Sequence, residues 1–347
     1  MKSFGYAAHD KSSPLSPFHF DRRDPNPNDV VLDIDFCGIC HSDIHQVRDE
    51  WKNAIYPMVP GHEIVGRVTA VGSAVTKFKP GDLAAVGVMV NSCMQCENCL
   101  AGEEPYCTKG MVPSYNAHNY DGELLHGGYA TNIIAPEHYT FSISPKLDLA
   151  ATAPLLCAGI TTYSPLRHWN AGPNKKVGIV GLGGLGHMAL KFAHAFGAHV
   201  VQFTTSESKV DDAKKLGADE VVISKDAAAM AAHKGSFDLI LDCVSAPHDF
   251  DAYLSLLRRD GTLCLVGLPD QPIHFAPFSI ITNRRSFSGS MIGGMAQTQE
   301  MLDFCADKDI VSDIELIGYD KLPEAYDRVV KGDVKYRFVL DNKTLNA

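Results

Sequence analysis

Residues 175–209 read KKVGIVGLGGLGHMALKFAHAFGAHVVQFTTSESK, and the architecture of the chain follows from this segment. An apolar run at 175–180 leads into Gly181, Leu182, Gly183, Gly184, Leu185 and Gly186; a helical period follows, and a second apolar run, AHVVQF, closes the unit. Met188, Phe192 and Phe196 recur every four residues, forming the face with which a crossover helix covers a sheet, and Gly197 stops that helix. Strand, glycine turn and helix in this order make a dinucleotide-binding signature. Gly181 permits the tight turn, Gly183 lets the backbone approach a pyrophosphate, and Gly186 allows close packing of helix on strand. The helix N-terminus adds free N–H groups and positive dipole.

The alternation continues downstream, with apolar runs at 219–224, 237–243, 262–267 and 286–292. Six such strands predict an α/β fold with a doubly wound parallel sheet over residues 152–292. Upstream the pattern differs: DVVLDIDF, IVGRVTAVG and DLAAVGVMV are short β-type segments separated by Pro-Gly turns at 60–61 and 80–81, predicting a barrel-like antiparallel module. Two helical segments, AQTQEMLDFCADK and LPEAYDRVVKG, and a strand-like YRFVLDN end the chain. The length of 347 residues exceeds what one core usually organises, so residues 1–151 with 293–347 are assigned to a second domain.

Composition narrows the function classes. With 45% hydrophobic and 21% charged residues the chain is an ordinary globular one. Lys and Arg number 31 against 41 Asp and Glu, and the net charge of −10 repels nucleic acid and anionic membrane surfaces alike. The first residues lack the apolar core of a signal segment, and the long uncharged stretch from Leu149 to Leu166 is broken by Pro154 and Pro165. A cytoplasmic protein is expected, whose ten cysteines are thiols or metal ligands rather than disulfides. Cys37, Cys243, Cys264 and Cys305 lie in apolar runs and read as buried packing residues.

The other six cysteines carry chemistry. Cys93, Cys96, Cys99 and Cys107 form C-x2-C-x2-C-x7-C in a polar loop, a spacing that wraps four thiolates around one tetrahedral zinc ion and leaves no open position. Cys40 in GICHSDIH, His62 in PGHEIVG and Cys157 in PLLCAGIT together make a Cys2His set with a vacant fourth position, the arrangement of a catalytic zinc. Glu63 is placed to orient His62 or to take that fourth position, Ser42 to hydrogen-bond the substrate oxygen, and His45 to pass its proton towards solvent. At the end of the second strand of the nucleotide unit, where NAD-binding folds carry an acid, stand Thr204, Thr205 and Ser206, with Lys209 beyond; these suit the 2′-phosphate of NADP.

On these segments, together with TTYSPL and SGSMIGG, the whole chain resembles the zinc-dependent medium-chain alcohol dehydrogenases, and within them the cinnamyl alcohol dehydrogenase-like NADP-dependent aldehyde reductases. The resemblance implies a GroES-like catalytic domain and a Rossmann domain. It implies two zinc ions per chain: a catalytic one on Cys40, His62 and Cys157 with Glu63 as alternate ligand, and a structural one on Cys93, Cys96, Cys99 and Cys107. Further implied are a proton relay through Ser42 and His45, extended by Glu50, and NADP(H) contacts from Thr161, Gly181–Gly186, Thr204–Lys209, Val266, Ser290 and Ile292. The implied reaction is hydride transfer between NADPH and an aldehyde, giving a primary alcohol, by an enzyme that pairs as a homodimer. An NAD-linked secondary alcohol or polyol dehydrogenase and a dinucleotide-binding redox sensor are the competing expectations. Trp51, Tyr115 and Ile292 are candidate walls of the substrate site.

Overall fold

The computed structural model describes residues 1–269 and 271–345. The chain divides into two compact units: Met1–Ile160 together with the chain from Gly293 onward, and Thr161–Ile292. The division falls after Ile160 rather than after residue 151, because the segment Leu149–Leu156 packs against the strands Asp29–Ile39 and Ile64–Val71 of the first unit.

In the first unit a seven-stranded sheet runs in the order Thr140–Ser142, Leu83–Val86, Ile64–Val71, Asp29–Ile39, Arg337–Asp341 and Ile314–Ile317, with Asn132–Pro136 also paired to Asp29–Ile39. Its pairs are antiparallel except the last, Ile314–Ile317 with Arg337–Asp341. Val30, Leu32, Ile39, Ile64, Val86 and Phe338 are buried in its core. Burial of each such side chain stabilises by about 1.5–3 kcal/mol. The expected terminal helices are present as Met295–Lys308 and Leu322–Lys331.

The second unit is a six-stranded parallel sheet in the order Glu220–Ile223, His199–Thr204, Lys176–Val180, Phe237–Asp242, Leu257–Leu265 and Ser286–Gly289. Sequence order therefore reverses beside Lys176–Val180, the switch point at which doubly wound sheets bind ligands outside the carboxyl ends of their strands. The fifth strand begins earlier than read, at Leu257, across a register shift opposite Phe237–Leu239, and the sixth stops at Gly289. On the helix Gly184–Ala195, Met188 and Phe192 are buried as the four-residue period requires, and Gly197 ends it with φ +81°. Cys37, Cys264 and Cys305 are buried as expected, but Cys243 is only half-buried, because it sits just past the carboxyl end of Phe237–Asp242, where the sheet gives way to loop.

Among the described residues no single helix is long and apolar enough to cross a membrane. The uncharged stretch becomes the bent pair Leu149–Leu156 and Ala158–His168, and Leu155, Leu156, Ile160 and Leu166 are buried within the protein.

Candidate active site

Three distant segments meet at the first donor set. Cys40 follows the strand Asp29–Ile39 and occupies the N-cap of the helix His41–Val47, His62 and Glu63 precede the strand Ile64–Val71, and Cys157 follows the turn Ala153–Leu156. One donor atom from each of Cys40, His62, Glu63 and Cys157 lies within 4.8 Å of the others. The sulfurs of Cys40 and Cys157 are 3.8 Å apart. That is nearly twice a disulfide bond of about 2.05 Å, and it matches the roughly 3.8 Å that two sulfurs at about 2.3 Å from a tetrahedral zinc must show. Glu63 Oε1 accepts from Arg337, whereas the buried Oε2 has no hydrogen-bond partner among the described residues. A stranded carboxylate oxygen beside two thiols and an imidazole is an acceptor set that a zinc ion satisfies.

His62 is oriented by Asp43, not by Glu63 as its neighbouring position suggested. Asp43 is fully buried at the third position of the helix His41–Val47, so its carboxylate first caps that helix by accepting from Cys40 N–H at 2.9 Å. The same group accepts from Gly61 N–H at 3.1 Å and from the Tyr129 hydroxyl at 3.3 Å, and engages His62 Nδ1 at 3.0 Å. With Nδ1 held, Nε2 is the ring nitrogen left for a metal. Tyr115 covers the imidazole at 5.9 Å and 13°, so it supports a donor ring directly. Adjacency misled the reading because Glu63, next in the chain, points its carboxylate the other way, to Arg337 on the strand Arg337–Asp341. Gly38 makes room for it: a Cβ there would lie 1.9 Å from Glu63 Oε2.

Charge in this group is balanced by contact. Burial disfavours the imidazolium of His62, yet Asp43 outweighs it and holds the pKa well above the ordinary value. A hydrogen bond from Cys157, and then the positive charge of Arg337, hold Cys40 well below the usual thiol range against burial. Burial pushes Glu63 up to about 7 against the opposing pull of Arg337. Asp43→Asn keeps the shape but removes the charge and one acceptor from His62. Zinc at this group is expected to be held about 10- to 100-fold more weakly, read by chelator competition against the ion of the four-cysteine lobe in the same protein.

Ser42 and His45 lie three residues apart on the helix His41–Val47 and so share a face. Glu50 bonds His45 Nδ1, so the acid expected to extend the relay is in contact with it. Trp51 and Tyr115 are placed against His45 and His62 respectively, and Ile292 is buried in the second unit.

The second donor set is local. Cys93, Cys96, Cys99 and Cys107 bring their sulfurs within 4.8 Å of one another, with Cys93–Cys99 at 3.9 Å and Cys96–Cys99 at 3.5 Å. All ten cysteines are free thiols. Backbone N–H groups point at the sulfurs, from Cys93 to Cys107 at 3.3 Å and from Cys96 to Cys93 at 3.4 Å. Those of Cys99 and Thr108 hold the Cys96 thiol down to about 5. Four converging thiols, with N–H groups already aimed at the charge of their thiolates, fit a closed tetrahedral zinc site.

The glycine turn of the second unit has the form its sequence requires. Gly181 has φ +87°, and a Cβ on it would meet Val244 at 2.6 Å. A Cβ on Gly186 would come within 2.0 Å of the Gly181 carbonyl oxygen. Around Gly183, the N-cap of Gly184–Ala195, a Cβ would meet nothing within 4 Å, leaving an open cradle at the helix N-terminus that fits a pyrophosphate. Leu182 and Leu185 lie within this turn and first helical residues. In the neighbouring parallel strand Thr204 is the last residue; its Oγ1 accepts from Ser206 N–H at 3.3 Å. Thr205 is exposed, and Lys209 reaches back to donate to the Leu182 carbonyl at 2.9 Å, which fixes the cation beside the glycine turn. The helix expected after this strand begins as the short turn Glu207–Lys209, and the Ser206 side chain makes no capping bond. Val266 and Ser290 follow the carboxyl ends of the fifth and sixth strands, and Thr161 belongs to the helix Ala158–His168.

Asp43, Arg337 and Tyr129 were not read from the sequence. Only Asp43 carried a signal: an acid three residues after Cys40 at a helix start is a capping pattern. Arg337, 274 residues from Glu63, left none.

Comparison with known proteins identifies the family. Residues 26–145 match the alcohol dehydrogenase GroES-like domain and residues 184–307 the zinc-binding dehydrogenase family. The aldehyde reductase YahK of Escherichia coli is 58% identical, covering 99% of both chains. NADP-dependent alcohol dehydrogenase C 1 of Mycolicibacterium smegmatis is 53% identical over 99% of this chain and 98% of its own. The crystal structure of the cinnamyl alcohol dehydrogenase of Helicobacter pylori complexed with NADP(H) superposes with a TM-score of 0.93 at 41% identity, covering 100% of this chain and 99% of that one. With two metal donor sets, a glycine turn on a parallel sheet and relatives matched end to end, the chain belongs to the zinc-dependent medium-chain alcohol dehydrogenase family.

Proposed function

We propose that this enzyme reduces aldehydes to primary alcohols with NADPH, reversibly. The observation that carries the reading is the donor set Cys40, His62, Glu63 and Cys157 at the base of the helix that bears Ser42 and His45. Bound there, zinc supplies a Lewis acid for the carbonyl oxygen, and NADPH supplies the hydride for the carbonyl carbon.

The chain's own residues do the rest. Cys40, His62 and Cys157 hold the ion, Asp43 fixes the His62 ring, and Glu63, poised against Arg337, is the alternate ligand. Ser42 gives its hydroxyl proton to the substrate oxygen and takes another from His45, whose Nδ1 is held by Glu50. Cys93, Cys96, Cys99 and Cys107 anchor their lobe on the second ion. Gly181, Leu182, Gly183, Gly184, Leu185 and Gly186 would hold the pyrophosphate of the cofactor, with Thr161, Val266, Ser290 and Ile292 as further contacts, and Thr204, Thr205, Ser206 and Lys209 would receive its 2′-phosphate. An aldehyde panel followed at the NADPH absorbance, before and after chelation, tests the assignment: turnover that chelation abolishes is expected, and NADH-only turnover contradicts it.

Lys209 is the single cation offered to that phosphate by this segment. Lys209→Ala is expected to weaken NADPH about tenfold, a charge-assisted hydrogen bond lost, while NADH binding stays unchanged; cofactor titrations of the variant check both.

The enzyme acts in the cytoplasm as a homodimer in this reading. Within the described residues the strand Ser286–Gly289 has one neighbour, which leaves an open edge, and Phe278 and Ile281 stand exposed just before it. Sedimentation is expected to give twice the mass of one chain; a monomer contradicts the pairing.

A further inference from the structure

The helix His41–Val47 carries an aromatic arrangement that the assignments above leave unexplained. The rings of His41 and His45, one turn apart, stack at 4.6 Å and 15°. The same His45 ring meets Trp51 at 5.2 Å and 27°. The His45 ring thus stacks on a ring of its own helix and on one from the turn that follows. Trp51 stays 37% exposed, so it buries less than a core indole would. The turn that presents it is costly: Asp49 and Lys52, on either side of Glu50 and Trp51, have φ of +54° and +61°, a conformation that residues with a Cβ avoid. That turn delivers two groups to one ring, Glu50 to its Nδ1 and Trp51 to its face.

We propose that Trp51 is a positioning residue for proton delivery: its indole pins the His45 ring against His41, so that Glu50 holds Nδ1 and Nε2 is kept in place for Ser42. The inference rests on the relay proposed above. The titratable groups facing His45 are His41 on its own helix and Glu50 in the following turn. The helix Leu322–Lys331, packed against this one, brings Asp327, which pairs with Arg48 at 3.9 Å. Ring stacking on an indole costs little entropy to maintain, because the side chain has only two rotatable bonds, and it excludes water from the covered face.

The chain has two tryptophans, so Trp169→Phe leaves Trp51 as the only indole. An imidazole in ring contact alters indole emission. In the zinc-loaded Trp169→Phe enzyme at one fixed pH, adding His45→Gln is expected to change the intensity of Trp51 emission. In the kinetic arm, Trp51→Leu is expected to lower kcat for aldehyde reduction roughly 3- to 10-fold, a fraction of what general acid–base catalysis supplies, with KM for NADPH and zinc content unchanged. Trp51→Phe, which keeps a flat face, is expected to recover most of the loss. Emission that ignores His45, or Trp51→Leu with native kcat while His45→Gln is slow, overturns this proposal alone. His45→Gln with native kcat overturns the relay, and the proposal with it.

Discussion

Replacing Cys157 with serine is expected to lower kcat/KM for aldehyde reduction by at least roughly a thousandfold, or about 4 kcal/mol of transition-state stabilisation. The change is nearly isosteric, so the turn Ala153–Leu156 and the helix Ala158–His168 have no reason to move. It exchanges a thiolate for a hydroxyl that stays protonated at neutral pH, and zinc keeps such a ligand poorly. Two further consequences separate this from unfolding. Zinc per chain should fall from two ions to one, since there are two donor groups and the four-cysteine lobe is untouched. Binding of NADPH should be preserved, because the glycine turn lies in the other unit. Native turnover with both ions retained would show that Cys157 is not a ligand.

Ser42→Ala should cost roughly 10²- to 10⁴-fold in kcat, the range that a positioned proton donor supplies. The methyl group fills most of the hydroxyl's space and leaves the cap made by Asp43 on Cys40 intact, so both zinc ions and the KM for NADPH are expected to stay native. The loss should be confined to the step that moves a proton. A solvent isotope effect on the residual rate that matches native enzyme would place proton delivery elsewhere. His45→Gln is expected to lose less than Ser42→Ala, since water can reprotonate Ser42 directly.

How much of this was legible in the sequence depends on the range of the interaction. The glycine turn and the four-cysteine loop are local: each is written in a few consecutive residues whose spacing has one good physical explanation, and the structure brings both together as read. The Cys40, His62 and Cys157 set was legible only as a combination of segments, since a buried cysteine or histidine alone is commonplace. Longer-range contacts left less trace. The role given to Glu63 by adjacency belongs to Asp43, because the helix His41–Val47 turns the Asp43 carboxylate towards Gly61 and His62. The Arg337 partner of Glu63 depends on pairing of the strand Arg337–Asp341 with Asp29–Ile39, a contact that no local pattern encodes. Strand ends were also misplaced, at Leu257 and Gly289, where register and neighbouring loops rather than apolar runs decide.

The most direct test is anomalous diffraction at the zinc edge from crystals of the native protein. Two peaks per chain are expected, one inside Cys93, Cys96, Cys99 and Cys107, the other at about 2.0–2.4 Å from Cys40 Sγ, His62 Nε2 and Cys157 Sγ. A peak in the lobe alone, in protein that turns over aldehyde with NADPH, would contradict the account.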